Sequence, residues 1–419
     1  MTANMAQQHN VECLVVGAGP AGLAAATALA LIGADVALAG LPAAGEAAPP
    51  AAEDIRTAAL FPMVVQMLRN LGAWPALEAH CAPLLGIRIV DDTGHLLRAP
   101  EVSFPACEIG LPDLGHNVPN AALSQALIDT ARTAGVALTD GGQLIALETG
   151  AGGAMATLAD GSQVRARLIV GADGRNSICR AAAGIGVRRW SYGQAAIAVR
   201  FAHSRPHRGF STELQRPAGP CTAVPLPGLS SSLVWMERTA EAGQLMAATP
   251  SVFVEQLSRR FQGLLGSISD LGQRRSFPLS GLAAETLARS RVALVGEAGH
   301  VIPPIGAQGL NLGMFDAATL AEHVAAARTE GRDIGGPAVL EGYARARAAD
   351  VRRRIGAVDI LNRSLTSGLL PLDLARGAGL HALAAVPALR RRIMAAGLAP
   401  SGPVPRVMLA AKPRETLEP

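Results

Sequence analysis

Three times along this chain a short apolar run stops at a cluster of glycines and resumes with helical spacing. Residues 11–16 read as a buried strand, 17–22 as the turn Gly-Ala-Gly-Pro-Ala-Gly, and 20–32 as a helix; 33–35 then turn the chain into a second strand at 36–39. A series of short strands at 136–138, 143–148, 154–158 and 163–170 ends in Gly-Ala-Asp-Gly-Arg-Asn-Ser at 171–177. The third unit opens with an apolar strand at 292–295. It passes through Gly296, Gly299, Pro303, Pro304, Gly306 and Gly309 and becomes helical over 310–324. So much glycine and proline suits backbone that must come close to a flat or charged group and stay rigid there.

Between these units the pattern predicts a helix over 58–71 and a hairpin of 84–90 with 95–98 around the turn 91–94. A further helix is predicted over 121–134, with Asn120 as its N-cap. From 190 to 277 the character changes to alternating segments and many prolines, with one helical stretch at 251–265, as expected of an antiparallel sheet. A long helical pattern at 336–363 carries Arg345, Arg347, Arg352, Arg353 and Arg354. An apolar helical tail at 365–397 carries Arg390, Arg391 and Arg392. These arginines read either as a solvated helix face or as a surface that docks on an anionic membrane or a partner.

Composition narrows the class. At 419 residues, 49% hydrophobic and 17% charged, the chain can bury a large core. A net charge of +4 and 3% aromatics give no case for nucleic acid. The five cysteines are scattered and form no CxxC, which fits a reducing cytoplasm and argues against a disulfide framework or a zinc site. Residues 13–34 carry only apolar and neutral side chains but hold four glycines and a proline before Ala34, so they read as strand, turn and helix, not a membrane span. The expected setting is cytoplasmic, or at most peripheral to the inner face of a membrane.

The first turn is a GxGxxG at the start of a βαβ unit, the signature of dinucleotide binding. Gly17 permits the tight turn, Gly19 lets backbone approach a pyrophosphate, and Gly22 lets helix and strand pack closely, with Ala18, Pro20 and Ala21 between them. The acid expected at the end of the second strand, for a ribose hydroxyl, is replaced by Gly40, and Glu46 lies beyond an Ala/Pro-rich insert. Arg56 is either a surface charge or a reach back to the cofactor, and Asp173 either a helix cap or part of a site. In the third unit the N–H groups of Gly309, Leu310 and Asn311 stand at a helix N-terminus, which favours anions or electron-rich acceptor atoms. His300 reads as a catalytic base or as a structural histidine.

Together, GxGxxG at 17–22, ADGRNS at 172–177 and GEAGHVIPPIGAQGLNLG at 296–313 resemble the class A flavoprotein monooxygenases, and most closely the ubiquinone-biosynthesis hydroxylases. The resemblance runs over nearly the whole chain, supported by Asp-Ile-Arg-Thr-Ala-Ala-Leu at 54–60 and Trp-Ser-Tyr-Gly-Gln-Ala at 190–195. It implies an α/β fold: a Rossmann-like FAD-binding domain of 1–77, 101–187 and 277–365, an inserted antiparallel-sheet substrate domain of 78–100 and 188–276, and a helical tail of 366–419. It also implies FAD-binding roles for Gly17, Ala18, Gly19, Pro20, Ala21, Gly22, Arg56, Asn120, Asp173 and Gly174. In the third motif it implies the same for Glu297, Ala307, Gln308, Gly309, Leu310 and Asn311. Pro304 and Gly306 would form a flavin-facing loop, with no side-chain base assigned. Glu297 stands where most members carry Asp, Ala307 where Gly is commoner, and Gly299 where Ala is.

The activity implied is hydroxylation of a ring carbon of a polyprenylated phenol, using O2 and NAD(P)H through a flavin C4a-hydroperoxide. The protein's share is to orient the ring, exclude water and offer hydrogen-bond donors to the flavin. The alternatives are a flavin hydroxylase of another small aromatic or secondary metabolite, and a non-catalytic flavin-fold subunit of a biosynthetic complex. Membrane-surface contact or a complex through the basic C-terminal helices, and an oligomer, are compatible with either.

Overall fold

Val16 pairs with both Ala39 and Gly171, and Gly171 pairs in turn with Leu294, so these four parallel strands end at one level. That register sends all three glycine turns out of the same edge of the sheet. The computed structural model describes residues 8–41, 54–94, 98–139, 141–261, 263–367, 369–400 and 402–410.

The first sheet has eight strands, with Gln163–Gly171 and Gln8–Val16 at its centre, Val292–Leu294 on one side and Val36–Ala39 and Ala137–Leu138 on the other. An antiparallel pair, Leu144–Gly150 and Gly153–Leu158, hangs from Gln163–Gly171. Ligands of such sheets sit beyond the carboxyl ends of the strands. The uncharged run becomes strand and helix Pro20–Leu31, whose residues 22–29 are all buried under helix Gln308–Thr329 and the sheet.

The second sheet has nine strands in the order His300–Val301, Arg275–Ala284, Val187–His203, Ser230–Arg238, Cys221–Leu226, Phe210–Gln215, Gly86–Asp91, Val102–Pro105, with Ile268–Ser269 off its side. Alternation decides its faces. Ile197, Phe201, Leu233 and Trp235 point to helices Thr239–Ala247 and Pro250–Phe261, where Phe253 and Leu257 complete a core. Their alternate neighbours, Ala196, Ala198, Ser232 and Val234, line a cavity. His300–Val301, part of the third glycine motif, pairs with Leu282 and Ala283 and so fastens that motif to this sheet.

Several elements differ from the sequence pattern. Residues 57–60 form a strand of a small third sheet with His116–Pro119 and Ala82–Pro83, and the helix begins only at Pro62, where proline suits the first turn. The hairpin partner of Gly86–Asp91 is Val102–Pro105, and 95–97 lie outside the described residues. Helix Thr239–Ala247 had no expectation. Helix Asn120–Thr133 starts at Asn120 itself, with Pro119 as N-cap, because the Asn120 side chain is turned to Asp54 and makes no capping bond. The long helix is Pro337–Thr366, and the tail is two helices, Leu370–Ala385 and Pro387–Leu398, parted by Val386 before a proline. No helix among the described residues is long and apolar enough to cross a membrane.

Candidate active site

The three turns touch. Gly17 has φ +115°, and a Cβ there would lie 2.2 Å from the Ala172 carbonyl oxygen of the second motif. A Cβ at Gly22 would lie 2.1 Å from the Gly17 oxygen, and one at Gly313 would lie 3.2 Å from Gly296 Cα and 3.1 Å from Ala21 Cβ. Only glycine permits the approaches at 17 and 22, and at 313 a side chain would force its neighbours to shift. Gly19 is different: nothing lies within 4 Å of where its Cβ would be, and it borders the open cavity. Arg180, buried in the short helix Ile178–Ala182 after the second motif, donates to the Ala298 carbonyl at 2.7 Å and ties that region to the third motif.

Gly40 has a local explanation. It sits at φ +103°, and a Cβ there would press to 3.3 Å on Gly17 N and Cα. An acid at this position would strain the backbone against the first turn. Glu46 lies outside the described residues.

One cavity of about 810 Å³ starts at Gly19–Gly22, passes Gly174 and Glu297, reaches the 303–310 loop, and continues over the second sheet to Ile87 and Phe104. Pro20, Ala21, Arg56, Asn120, Pro304, Gly306, Ala307, Gln308, Gly309 and Leu310 are on its wall; Gly17, Ala18, Asp173 and Asn311 are not. Asp173 Oδ2 accepts from Cys179 N at 3.0 Å, alongside Ser177 as N-cap of the short helix Ile178–Ala182, and its Oδ1 is buried without a partner. Asn311 is spent as a clasp: its Oδ1 accepts from Phe61 N at 2.8 Å and its Nδ2 donates to Ala59 and Ala307 carbonyls at 2.8 and 2.6 Å. The donors left free by helix geometry are therefore the N–H groups of 308–310, one position earlier than the sequence suggests, because the helix starts at Gln308.

Arg56 is held by Asp54 through two hydrogen bonds of 2.8 and 2.7 Å and lies over the Phe277 ring at 5.1 Å. The Asp54 carboxylate raises its pKa, so it is a fixed cation on the cavity wall. Asn120 Nδ2 reaches Asp54 at 3.4 Å and leaves its Oδ1 buried and unpartnered. Glu297 is half-exposed and meets Arg175 Nη2 at 3.4 Å.

Behind the loop runs a buried ionic chain. His300 Nε2 meets Asp316 Oδ2 at 2.6 Å, Arg347 Nε donates to Asp316 Oδ1 at 2.8 Å, and Arg347 Nη1 meets Asp350 at 3.1 Å. Arg354 joins Asp350 to the side chain of Gln308 and to the Ala399 carbonyl. Arg347 and Arg354 are thus buried, not solvated, while Arg345, Arg352 and Arg353 stay exposed. In the tail, Arg390 makes a bidentate pair with Glu108 at 2.7 Å, and Arg391 and Arg392 remain exposed.

The FAD binding domain family matches residues 10–356. Ubiquinone hydroxylase UbiL of Rhodospirillum rubrum is 37% identical over 96% of this chain and 93% of its own length. The 3-demethoxyubiquinol 3-hydroxylase of Escherichia coli is 32% identical over 91% and 97%. The chain belongs to the FAD-dependent hydroxylases of ubiquinone biosynthesis. Among solved structures, p-nitrophenol 4-monooxygenase PnpA from Pseudomonas putida matches with a TM-score of 0.74 at 17% identity, over 94% of this chain and 99% of that one. A single-residue variant of HpxO from Klebsiella pneumoniae, complexed with FAD, matches with a TM-score of 0.72 at 22% identity, over 93% and 98%. Both share the fold.

The residues of this hydroxylase fit FAD: backbone at Gly19 is open to a pyrophosphate, Asn120 offers an unpartnered acceptor, and residues 308–310, the first turn of a helix, line the cavity. Bound there, the flavin supplies reduction and oxygen activation. The sequence reading missed two parts of the wall. Ile393, Met394 and Leu398 of the last long helix roof the cavity, and Glu213 stands on its sheet face. Alternation in 210–215 marks Glu213 as sharing a face with Ser211, but it does not say which face meets the cavity.

Proposed function

We propose that this protein is an FAD-dependent monooxygenase that hydroxylates a ring carbon of a polyprenylated phenol in ubiquinone assembly, with NAD(P)H as electron donor. The observation that carries this is the continuity of the cavity. One end is a glycine cradle suited to a dinucleotide, and the other is an apolar sheet face under an apolar helix, suited to a ring with a hydrocarbon tail. The names of the relatives point to the same substrate class.

In this reading Gly17 and Gly22 would shape the turn, Gly19 would admit the pyrophosphate, and Arg56, Asn120, Gly174 and Glu297 would hold the rest of the cofactor. The 308–310 N–H groups would offer hydrogen-bond donors to the flavin, and Pro304 and Gly306 would lie on the cavity wall beside it. The roof helices leave Leu372, Leu374, Leu389, Arg391 and Arg392 exposed, and Ile393 exposed in part as well as lining the cavity. An apolar and basic face of this kind suits an anionic bilayer, from which a polyprenyl tail would pass under Ile393 into the cavity.

Removing the gene from a ubiquinone-forming host tests the assignment. The expected result is loss of ubiquinone with accumulation of a prenylated phenol lacking one ring hydroxyl. Unchanged ubiquinone and no such precursor, in a host without a second hydroxylase, would refute it.

A further inference from the structure

Glu213 is a carboxyl on a wall otherwise lined by apolar and neutral polar side chains. It lies at the middle of strand Phe210–Gln215, in register with Ile89 on one side and Thr222 on the other, and it lines the cavity with both. Across the next strands the same row continues with Val234 and Ala198. The helix over this face contributes Ile393, Met394 and Leu398. The charged side chains of the packed segments are engaged elsewhere: Arg88 with Glu101, Arg216 with Glu237, Arg390 with Glu108, and Arg376 with Asp373. Burial raises the pKa of Glu213, and the side chain of Gln215, donating to the carboxylate, only partly opposes this. Leaving a carboxyl here costs stability, because an ordinary apolar residue would fill the same face. No ion pair of the fold uses it among the described residues.

We propose that Glu213 is the catalytic base that receives the hydroxyl of the phenolic substrate. This rests on the hydroxylase reading above. The phenol O–H donates to a Glu213 carboxylate oxygen. As a ring carbon gains its oxygen atom, the substrate O–H bond breaks and the proton passes to Glu213. The bonding pair stays on the substrate oxygen and feeds the ring. When the resulting dienone becomes aromatic again, the hydrogen on the attacked carbon leaves as a proton to water, and Glu213 returns its proton to the carbonyl oxygen. The base ends as it began, and the only oxidant is the O2 that the flavin has activated.

A carboxylate near pKa 4.3 is a weak base for a phenol near 10, and burial narrows that gap. The ring is also oriented, because a carboxylate among apolar and hydroxyl side chains fixes which edge turns toward it. Thr222 adds a hydroxyl in the same row.

The test compares the FAD-loaded wild type with Glu213→Gln and Glu213→Asp. The substrates are a short-chain prenylated phenol and its O-methyl ether, and product, H2O2 and NAD(P)H are followed across pH. With the phenol, Glu213→Gln should keep the flavin spectrum and oxidise NAD(P)H. Its product should fall about 10²–10⁴-fold, the usual contribution of a positioned acid or base, with H2O2 in its place. Wild-type product formation should decline as pH falls through the raised carboxyl pKa; the Gln variant should lack that limb and Glu213→Asp should restore it in part. The wild type should prefer phenol to methyl ether, and Glu213→Gln should lose the preference. A Gln variant with wild-type product yield, pH limb and discrimination overturns the proposal. A wild type that hydroxylates no phenol overturns the functional reading itself. If Glu213→Gln fails to fold, an unchanged pH limb in a folded Glu213→Asp overturns the proposal, and a shifted one supports it.

Discussion

His300 Nε2 lies 2.6 Å from Asp316 Oδ2, and both side chains are buried behind the 303–310 loop. The same Asp316 oxygen accepts from Gly296 N at 3.0 Å, so this carboxylate holds the start of the third glycine motif as well as the histidine. Burial pushes the Asp316 carboxyl up, but His300 and Arg347 together bring it below the ordinary range. Its stabilising contribution is therefore present above the ordinary carboxylate pKa and is lost as pH falls through the lowered one. Asp316→Asn should cost about 3–5 kcal/mol, since it removes one of the two carboxylates that balance the buried Arg347 and leaves Asp350 shared between Arg347 and Arg354. Urea unfolding at neutral pH should show this loss, and the gap to wild type should close as the pH drops into the acid range. Equal stability at neutral pH would contradict the role given to the chain.

The two glycines of the first turn separate folding from binding. Gly17→Ala drives a methyl into the Ala172 carbonyl at a positive φ, so it should yield little folded protein. Gly19→Ala meets nothing in the protein itself, so it should fold normally. Its methyl would stand where backbone must approach the pyrophosphate, and FAD affinity should drop tenfold or more, about 1.4 kcal/mol. Flavin fluorescence titration of folded Gly19→Ala checks this; an unchanged affinity would place the pyrophosphate elsewhere.

Ala307 occupies the left-handed region at φ 55° as N-cap of helix Gln308–Thr329. A left-handed L-residue is strained by roughly 1–2 kcal/mol, offset in part by the entropy that glycine loses on folding. Ala307→Gly should stabilise the protein by roughly 0.5–1 kcal/mol on that balance. Denaturant unfolding of the FAD-loaded protein measures it, and destabilisation would show that the methyl makes a contact the strain argument omits.

The roof helices give a prediction about lipid. Replacing Arg391 and Arg392 with Glu should weaken binding to vesicles containing phosphatidylserine at least tenfold, since each basic residue near such a surface contributes about 1 kcal/mol. Leu374→Ser should weaken it too, and less dependently on salt. Sedimentation with neutral and anionic vesicles separates the two terms. Equal binding of wild type and the double charge variant would remove the bilayer from the account.

Much of the cofactor half was legible in the sequence. Glycine spacing reports backbone needs directly, and the needs at Gly17, Gly22 and Gly313 are contacts between the motifs themselves. Local reading failed where the deciding partner is remote. Residues 57–60 look helical until His116–Pro119 pairs with them, and Asn120 looks like a cap until Asp54 draws its side chain away. Arg347 and Arg354 follow helical spacing on a polar-looking face, and only Asp316 and Asp350 make their burial tolerable. Glu213 was invisible for a related reason: its meaning lies in which face of the second sheet turns toward the cavity, and no local pattern carries that.

The most direct measurement supplies the purified, FAD-loaded enzyme with NAD(P)H, a prenylated phenol and oxygen gas labelled with ¹⁸O, and weighs the product. The account predicts a ring-hydroxylated phenol carrying one labelled oxygen atom, formed only when both phenol and electron donor are present. A product whose new oxygen comes from water, or steady NAD(P)H consumption that yields only hydrogen peroxide under every phenol tried, would contradict it.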